Sequence, residues 1–199
     1  MIPVIGIIGG IGSGKSLVAD AMQELGGYLI AADRLGHDAL LQTDIKAKVV
    51  ERWGTDLLDA HGNLDRRKIG AIVFADSTQL RALESFVFPY IEKRISEEIT
   101  TARARSGVKF IVLDAAILLE TGWHLHCDKI VFVDTPRELR LARLKENRGW
   151  DEMELERREK MQLPVEEKKA RADAVIVNDG PPEKITQQVQ DALVRWKAI

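Results

Sequence analysis

The sequence predicts an α/β fold in which helices cover both faces of a parallel sheet. Short β-rich runs alternate with longer helical patterns along the 199 residues, and this alternation is typical of parallel strands joined by helical crossovers. A chain of this length fits one domain with its own apolar core. The five predicted strands are residues 4–8, 28–31, 109–113, 129–133 and 174–177.

The first predicted strand leads directly into the sequence GGIGSGKS, and an amphipathic helix follows it. The pattern G-x-x-x-x-G-K-[ST] between a strand and a helix is the signature of a P-loop, whose backbone N–H groups surround phosphate. The lysine of such a loop binds the β- and γ-phosphates, and its hydroxyl residue binds Mg²⁺. We therefore predict a nucleotide triphosphate site at Gly9, Gly10, Ile11, Gly12, Ser13, Gly14, Lys15 and Ser16, with Ser16 as the metal ligand.

The second predicted strand ends in YLIAAD, which places Asp33 at the carboxyl edge of the sheet. Open α/β folds bind their ligands at this edge. A carboxylate there can accept the proton of an attacking hydroxyl, orient that hydroxyl or bind Mg²⁺. Asp is also a good cap for the helix that follows. The residues alone leave these roles open.

A GTPase is disfavoured by the segments that follow the later strands. No [NT]KxD-like guanine motif follows the fourth predicted strand, and no Asp-x-x-Gly switch follows the third. The phosphate loop alone does not separate a kinase from an ATPase or a nucleotide-binding regulator.

A long segment separates the second and third predicted strands and exceeds what a crossover needs. Within it, RRKIGAIVF and FPYIEKRISEEITTARAR place apolar residues at helical spacing, and Ile91, Ile95 and Ile99 recur at every fourth position. The polar loop DAHGNLD separates two helical halves. We therefore predict a helical insertion into the α/β core.

The segment 137–160 is dominated by charge, with 15 of its 24 residues ionisable. So polar a composition predicts a mobile, solvent-facing helical hairpin. Its arginines include Arg137, Arg140, Arg143 and Arg148, and an arginine delivered to a γ-phosphate can accelerate phosphoryl transfer by roughly 10³ to 10⁵. Solvated ion pairs along helix faces also explain most of these charges.

Two further polar residues follow predicted strands. Asp114 comes after the third strand, where its side chain can reach the cleft or cap a helix. Asn178 follows the fifth strand in VIVNDG, where an ordinary Asx turn is one explanation.

The composition excludes several partners and compartments. A net charge of −2 provides no electrostatic footprint for nucleic acid. Cys127 is the single cysteine, so no internal disulfide can form, which fits a reducing compartment. No apolar run approaches the ~20 residues of a membrane span, and the N-terminus lacks a basic start and a cleavage site. These features predict a cytoplasmic protein without nucleic acid or membrane partners.

Five segments together resemble the dephospho-CoA kinase family. GGIGSGKS, IAAD, LDRRKIGAIVF, LDAAILLE and QLPVEEKKARADAVIVNDG occur in the order and at the spacing seen in that family. The similarity runs through nearly the whole chain. The last segment is the most specific, because P-loop proteins in general do not share it.

The resemblance implies a reaction and an architecture. The reaction is phosphorylation of the ribose 3′-hydroxyl of dephospho-CoA by ATP and Mg²⁺, which is the final step of coenzyme A biosynthesis. The architecture is a P-loop NTPase-type three-layer α/β/α fold with strand order 2-3-1-4-5, in a monomer or weak homo-oligomer. The implied domains are a nucleotide-binding core at 1–32, 107–136 and 172–199, a helical substrate-binding insertion at 33–106 and a lid at 137–171.

The resemblance also implies roles for individual residues. Asp33 matches the proposed catalytic base and Arg143 matches the lid arginine, so the implied catalytic residues are these two and Lys15. Arg140 and Asn178 are expected at the nucleotide, with Asn178 close to the adenine. The residues expected at the acceptor substrate are Asp33 from this match, and Asp114 and Arg66 from their positions after the third strand and in the insertion.

Three positions depart from the family pattern. Ala31 stands where members usually carry the first aspartate of Asp-x-Asp, Phe88 where they carry the histidine of His-Pro, and Ala116 where they carry proline. These departures leave two other functions open. One is a kinase for another small hydroxyl acceptor, such as a nucleoside or nucleoside monophosphate, and the other is a nucleotide-binding protein without catalysis.

Overall fold

The computed structural model describes all residues from Met1 to Ile199. Its elements are β1 (Val4–Gly9), α1 (Lys15–Glu24), β2 (Gly27–Ala31), α2 (Ala32–Leu40), α3 (Thr43–Trp53), α4 (Arg66–Val73), α5 (Ser77–Ala104), β3 (Phe110–Asp114), β4 (Lys129–Asp134), α6 (Arg137–Arg148), α7 (Glu152–Glu159), α8 (Val165–Ala170), β5 (Ala174–Val177) and α9 (Pro182–Arg195). None of the helices has the length and apolar content that crossing a bilayer requires.

The five strands form one sheet in the order β2-β3-β1-β4-β5, and every neighbouring pair is parallel. The predicted strand order and α/β fold class are therefore confirmed. β1 lies at the centre of the sheet, and all six of its residues are buried. The carboxyl ends of all five strands lie at the same edge, so the segments that follow them converge there.

Helices α1 and α9 pack against the sheet and enclose its main apolar core. Each helix presents one apolar face, as the spacing of its aliphatic residues requires. The burial of this face holds the phosphate loop, which lies between β1 and α1, against the sheet. The core includes Ile5, Ile7, Val18, Met22, Phe110, Val112, Val131, Val133, Ile176, Ile185, Val189 and Leu193.

The chain divides into two compact units. The sheet unit comprises Met1–Ala31 and Glu98–Ile199, and the helical unit comprises Ala32–Glu97. The helical unit has its own buried aliphatic residues, among them Ile45, Val49, Ile69 and Val73.

Helix α5 is longer than its apolar pattern alone indicates. Ile91, Ile95 and Ile99 are buried, as their spacing predicts. The helix begins at Ser77, because the carboxylate of Asp76 accepts the Thr78 N–H at 2.7 Å and caps the first turn. It continues through Pro89, which removes one backbone hydrogen bond without ending the helix.

Candidate active site

The phosphate loop connects the last residue of β1 to the first residue of α1. Gly12 and Gly14 have φ angles of +77° and +83°, which L-residues with side chains rarely adopt. No side chain caps α1. The backbone N–H groups of Gly12, Gly14 and Ser16 donate to no protein acceptor. The loop therefore presents unpaired donors at the positive end of a helix, which is an anion-binding site.

Two side chains from other strands bind the carbonyl oxygen of Ser13. The hydroxyl of Thr135, just after β4, donates to this oxygen at 2.8 Å. The side-chain amide of Asn178, just after β5, donates to it at 2.7 Å. All three residues are buried. The loop is therefore held from the carboxyl ends of two neighbouring strands.

Arg143 of α6 lies beside the same group. Its Nη2 donates at 3.3 Å to both the backbone oxygen and Oδ1 of Asn178, and its Nη1 lies 3.5 Å from the Ser13 oxygen. The guanidinium is therefore adjacent to the phosphate loop and is held by neutral acceptors.

Arg140 is buried against the phosphate loop. Its Nη1 donates to the backbone oxygen of Ile11 at 3.1 Å and to the carboxylate of Glu159 on α7. Its Nε is buried without a hydrogen-bond partner. A second pair, between Arg137 and Glu152, also joins α6 to α7. Ion pairs therefore connect the two helices of the charged hairpin.

The hairpin formed by α6 and α7 is not wholly solvent-facing, and that part of the sequence prediction is wrong. Arg140 is only 5% exposed, and Leu144 and Leu155 are buried. The physical reason is that two of the hairpin's aliphatic residues, Leu144 and Leu155, are covered by the fold, whereas Leu139 and Met153 stay exposed with most of its charged residues.

A pocket of about 220 Å³ lies between the phosphate loop and the segment that begins at α6. Gly10 and Ile11 line one side of it, and arginines 137 and 140 line another. Lys168 of α8 also lines the pocket, although it is only 1% exposed overall. Each of these cations is paired with a carboxylate, and one of those carboxylates, Glu159, itself lines the pocket, so the local charges are largely balanced.

Lys168 is an important residue that the sequence did not single out. Its ammonium group donates to the backbone oxygen of Ala116 at 3.2 Å, to Gln162 at 2.9 Å and to Glu120 at 2.8 Å. All three donors of the ammonium group are therefore satisfied. Its neighbour Lys169 has the same residue type and lies at the surface, so no local pattern distinguishes the two.

Asp33 is the second residue of α2 and is exposed. Its carboxylate accepts no hydrogen bond and forms no ion pair, so it does not cap the helix. Asp114 is the last residue of β3, and turns follow it up to the short helix at Trp123–His126. No helix begins directly after Asp114, so the capping alternative is wrong for this residue as well.

Arg66 and Asn178 were the other two residues with open roles. Arg66 is exposed at the first position of α4, a helix that Asp65 caps. The side chain of Asn178 binds Ser13 and Arg143 rather than its own backbone, so the Asx-turn alternative is wrong. No group of three or more His, Cys, Asp or Glu residues is placed to hold a metal.

The structure shows the surroundings of the three positions that depart from the family pattern. The backbone N–H of Ala116 makes no hydrogen bond, so proline would lose none at this position. The carbonyl of Ala116, which proline would retain, accepts from Lys168. Ala31 pairs in register with Asp114 across the sheet, so an aspartate at Ala31 would lie beside that carboxylate. Phe88 is half-buried in α5.

The phosphate loop at the end of the central strand, the strand order and the adjacent arginines define a P-loop kinase-type nucleotide-binding protein. A family model described as Dephospho-CoA kinase matches residues 3–183. The chain belongs to the dephospho-CoA kinase family, ATP-dependent kinases that phosphorylate dephospho-CoA in the final step of coenzyme A biosynthesis.

Curated relatives named dephospho-CoA kinase are similar along nearly their whole length. The protein from Carboxydothermus hydrogenoformans is 38% identical, with 99% of this chain and 96% of that protein covered. The protein from Aquifex aeolicus is 40% identical, with 94% and 93% covered.

Solved structures share the fold. TT1252 from Thermus thermophilus superposes with a TM-score of 0.82 at 30% identity, covering 98% of this chain and 97% of that chain. A dephospho-CoA kinase from Campylobacter jejuni gives 0.72 at 24% identity, with 98% of both chains covered. A shikimate kinase from Acinetobacter baumannii gives 0.53 at 17% identity, with 99% and 96% covered.

Proposed function

We propose that this chain transfers the γ-phosphoryl group of Mg-ATP to the ribose 3′-hydroxyl of dephospho-CoA. The observation that supports this most strongly is the phosphate loop, whose N–H groups at Gly12, Gly14 and Ser16 have no protein acceptor. Phosphoryl transfer requires mainly positioning and neutralisation of charge. A loop with preorganised donors and an adjacent pair of arginines provides both.

The hairpin of α6 and α7 is proposed to be the lid of this kinase. Arg143 and Arg140 bind backbone carbonyls of the phosphate loop, at Ser13 and Ile11. Phosphate oxygens are charged acceptors and form stronger hydrogen bonds with guanidinium groups than carbonyls do. ATP in the loop therefore offers a better acceptor to Arg143, whose present acceptors are neutral, whereas Arg140 is already paired with the carboxylate of Glu159. Arg143 and Lys15 would then neutralise charge on the transferred group.

Mg²⁺ fits the residues at the start of α1. Ser16 is exposed and its hydroxyl makes no hydrogen bond in the chain. Mg²⁺ in phosphate-transfer enzymes takes one or two protein ligands and completes its shell with phosphate and water. The metal would supply charge neutralisation at the β- and γ-phosphates, with Ser16 as its protein ligand.

Asp33 is the proposed general base. It follows β2 by two positions, and its carboxylate has no competing partner in the chain. A carboxylate with this freedom can accept a proton from the attacking hydroxyl. Asp114 and Arg66 are proposed contacts of the acceptor, and Asn178 lies beside the nucleotide loop.

The first experiment is an ADP-release assay with ATP, Mg²⁺ and dephospho-CoA, followed by mass analysis of the product. We expect a product heavier by one phosphoryl group, carried on the 3′-hydroxyl. The matched acceptor panel contains nucleosides and nucleoside monophosphates.

Transfer to a member of that panel, with dephospho-CoA inert, would contradict the proposed acceptor. ATP binding with no product from any acceptor would show that the chain binds nucleotide without catalysis. In that second outcome Ala31 and Phe88 are the positions to restore first, because proline at position 116 would remove no backbone hydrogen bond.

A further inference from the structure

The oxygen of Ser13 accepts two short hydrogen bonds from side chains distant in sequence. Thr135 and Asn178 donate at 2.8 Å and 2.7 Å, and both are buried with Ser13. A carbonyl oxygen has two lone pairs, so these two short bonds occupy both, and the Nη1 of Arg143 at 3.5 Å adds only a weak third contact. A buried carbonyl with two short bonds is held in one orientation.

That orientation determines where the next N–H group points. The peptide that joins Ser13 to Gly14 is trans and planar, so its C=O and N–H point in opposite directions. The Gly14 N–H therefore points away from Thr135 and Asn178. It is also one of the loop N–H groups without a protein acceptor.

The peptide between Ser13 and Gly14 lies in a glycine-rich loop with a flexible backbone, so its orientation depends on contacts with other residues. Gly14 has no side chain to limit its backbone, and Gly12 nearby also has a positive φ. The Asn178 amide also lies close to Gly14, because a Cβ added at Gly14 would overlap its nitrogen. The same amide thus touches the glycine and binds the carbonyl before it.

We propose that Thr135 and Asn178 are positioning residues for the nucleotide, which hold the Ser13 carbonyl so that the Gly14 N–H is aimed at a phosphate of ATP or ADP. This inference rests on the nucleotide site of the proposed function. It gives Asn178 a role in phosphate binding that differs from contact with adenine, and it assigns Thr135 a role that its sequence context does not reveal.

The test compares Thr135→Val, which is close in shape and removes the hydroxyl donor, with Thr135→Ser, which retains that donor. Thr121→Val is the matched control, because it removes a hydroxyl bond of 2.9 Å to the Ile117 carbonyl away from the loop. Binding of Mg-ADP is measured by calorimetry. Binding of adenosine, which has no phosphate, is measured in the same calorimeter as its competition with Mg-ADP, so no turnover is needed.

We expect Thr135→Val to weaken ADP binding by roughly five- to tenfold, the effect of one lost hydrogen bond to a buried carbonyl. The affinity for adenosine should stay at the wild-type value. Thr135→Ser should restore ADP binding to within about twofold of wild type. Thr121→Val should bind both ligands as the wild type does. A purely structural effect of Thr135 would lower ADP and adenosine binding in the same proportion, and would overturn the proposal.

Asn178→Ala provides an independent second variant. The proposal predicts weaker binding of ADP with unchanged affinity for adenosine. A contact between Asn178 and the adenine base predicts instead an equal loss of affinity for both ligands. Wild-type ADP affinity in both Thr135→Val and Asn178→Ala would also overturn it. These measurements use no acceptor, so an absence of turnover with dephospho-CoA would contradict the proposed function and leave this inference standing.

Discussion

The carboxylate of Asp33 is exposed and unpaired within the chain, so its charge can be removed at little structural cost. We expect Asp33→Asn to lower kcat by roughly 10² to 10⁴, because the amide cannot accept the hydroxyl proton. The KM for ATP should stay near its wild-type value. Steady-state kinetics with varied ATP and dephospho-CoA measures both quantities.

Asp44→Asn is the matched control for this variant. Asp44 is an exposed carboxylate in the first turn of α3, as Asp33 is in the first turn of α2. Both substitutions remove the same favourable interaction with a helix N-terminus. Equal kcat values in the two variants would remove Asp33 as the base.

Cys127 gives the chain a specific dependence on alkaline pH. Burial, and then the nearby charge of Asp128, raise the pKa of its thiol from 9.0 to about 12. Between these values the unfolded chain releases the thiol proton and the folded chain retains it. The free energy of unfolding should therefore fall with rising pH above about 9, by about 1.4 kcal/mol per pH unit from this group.

The measurement is urea unfolding of the wild type and Cys127→Ala at several values between pH 7 and 10.5. Lysines titrate in the same range in both proteins, so the difference between the two curves isolates the thiol. We expect the difference in free energy of unfolding between the two proteins to be constant below pH 9. Above pH 9 the wild type should lose stability relative to Cys127→Ala. Parallel curves throughout would show that the thiol ionises equally in the folded and unfolded chains.

Residues with chemical roles could be predicted from the residues themselves only where they belong to a recognisable local sequence pattern. The phosphate loop has a fixed spacing, so Lys15 and Ser16 are found from the sequence alone. Thr135 and Lys168 have no such pattern, because their importance comes from the Ser13 and Ala116 carbonyls, which are distant in sequence. Contacts of this kind depend on the completed sheet.

At the scale of elements, Lys168 joins α8 to the connection between β3 and β4. Lys168→Met removes all three donors and leaves Glu120 and the Ala116 carbonyl without this partner. We expect a loss of about 3 kcal/mol in the free energy of unfolding, because removing one member of a buried ion pair leaves the other uncompensated. Urea unfolding of Lys168→Met and the wild type at neutral pH measures this loss.

Lys169→Met is a control at the adjacent position of the same helix. Lys169 binds Asp134 at 2.6 Å, but its side chain is 40% exposed, so solvent screens the pair. We expect only a small loss of stability for this variant. Comparable losses in the two variants would mean that burial of Lys168 contributes nothing beyond a surface pair.

The elements themselves were predicted closely, with limits that have physical causes. The predicted strands lie within a residue or two of β1 to β5, because continuous apolar runs identify buried parallel strands. The start of α5 was missed, since it depends on a cap at Asp76 rather than on apolar spacing. The packing of the α6 and α7 hairpin was missed because average charge conceals the two leucines that the fold covers.

At the scale of the whole molecule, parallel topology assembles the site. The phosphate loop follows β1, Asp114 ends β3, Thr135 follows β4 and Asn178 follows β5. The strand order came from the family resemblance, and the sheet confirms it. Once the order is known, the convergence of these segments at one edge of the sheet follows from the parallel arrangement.

The proposed nucleotide contacts all belong to the sheet unit, and this predicts a distribution of protection from hydrogen exchange. ADP binds the native state, so it suppresses opening of the elements that form its site. We expect Mg-ADP to slow exchange in peptides covering residues 9–24 and 174–180, and to leave peptides of α3 and α4 unchanged. Subsequent addition of dephospho-CoA should slow exchange in the helical unit, where Asp33 and Arg66 lie, and at the end of β3, where Asp114 lies.

Lys15→Ala serves as the control, because loss of the lysine that binds phosphate should remove the effect of ADP. Uniform slowing across both units with ADP alone would contradict a nucleotide site confined to the sheet unit. Slowing in neither unit after dephospho-CoA is added, with the ADP effect intact, would instead contradict the proposed acceptor. The helical unit thus reports on the acceptor alone, because none of the proposed nucleotide contacts belongs to it.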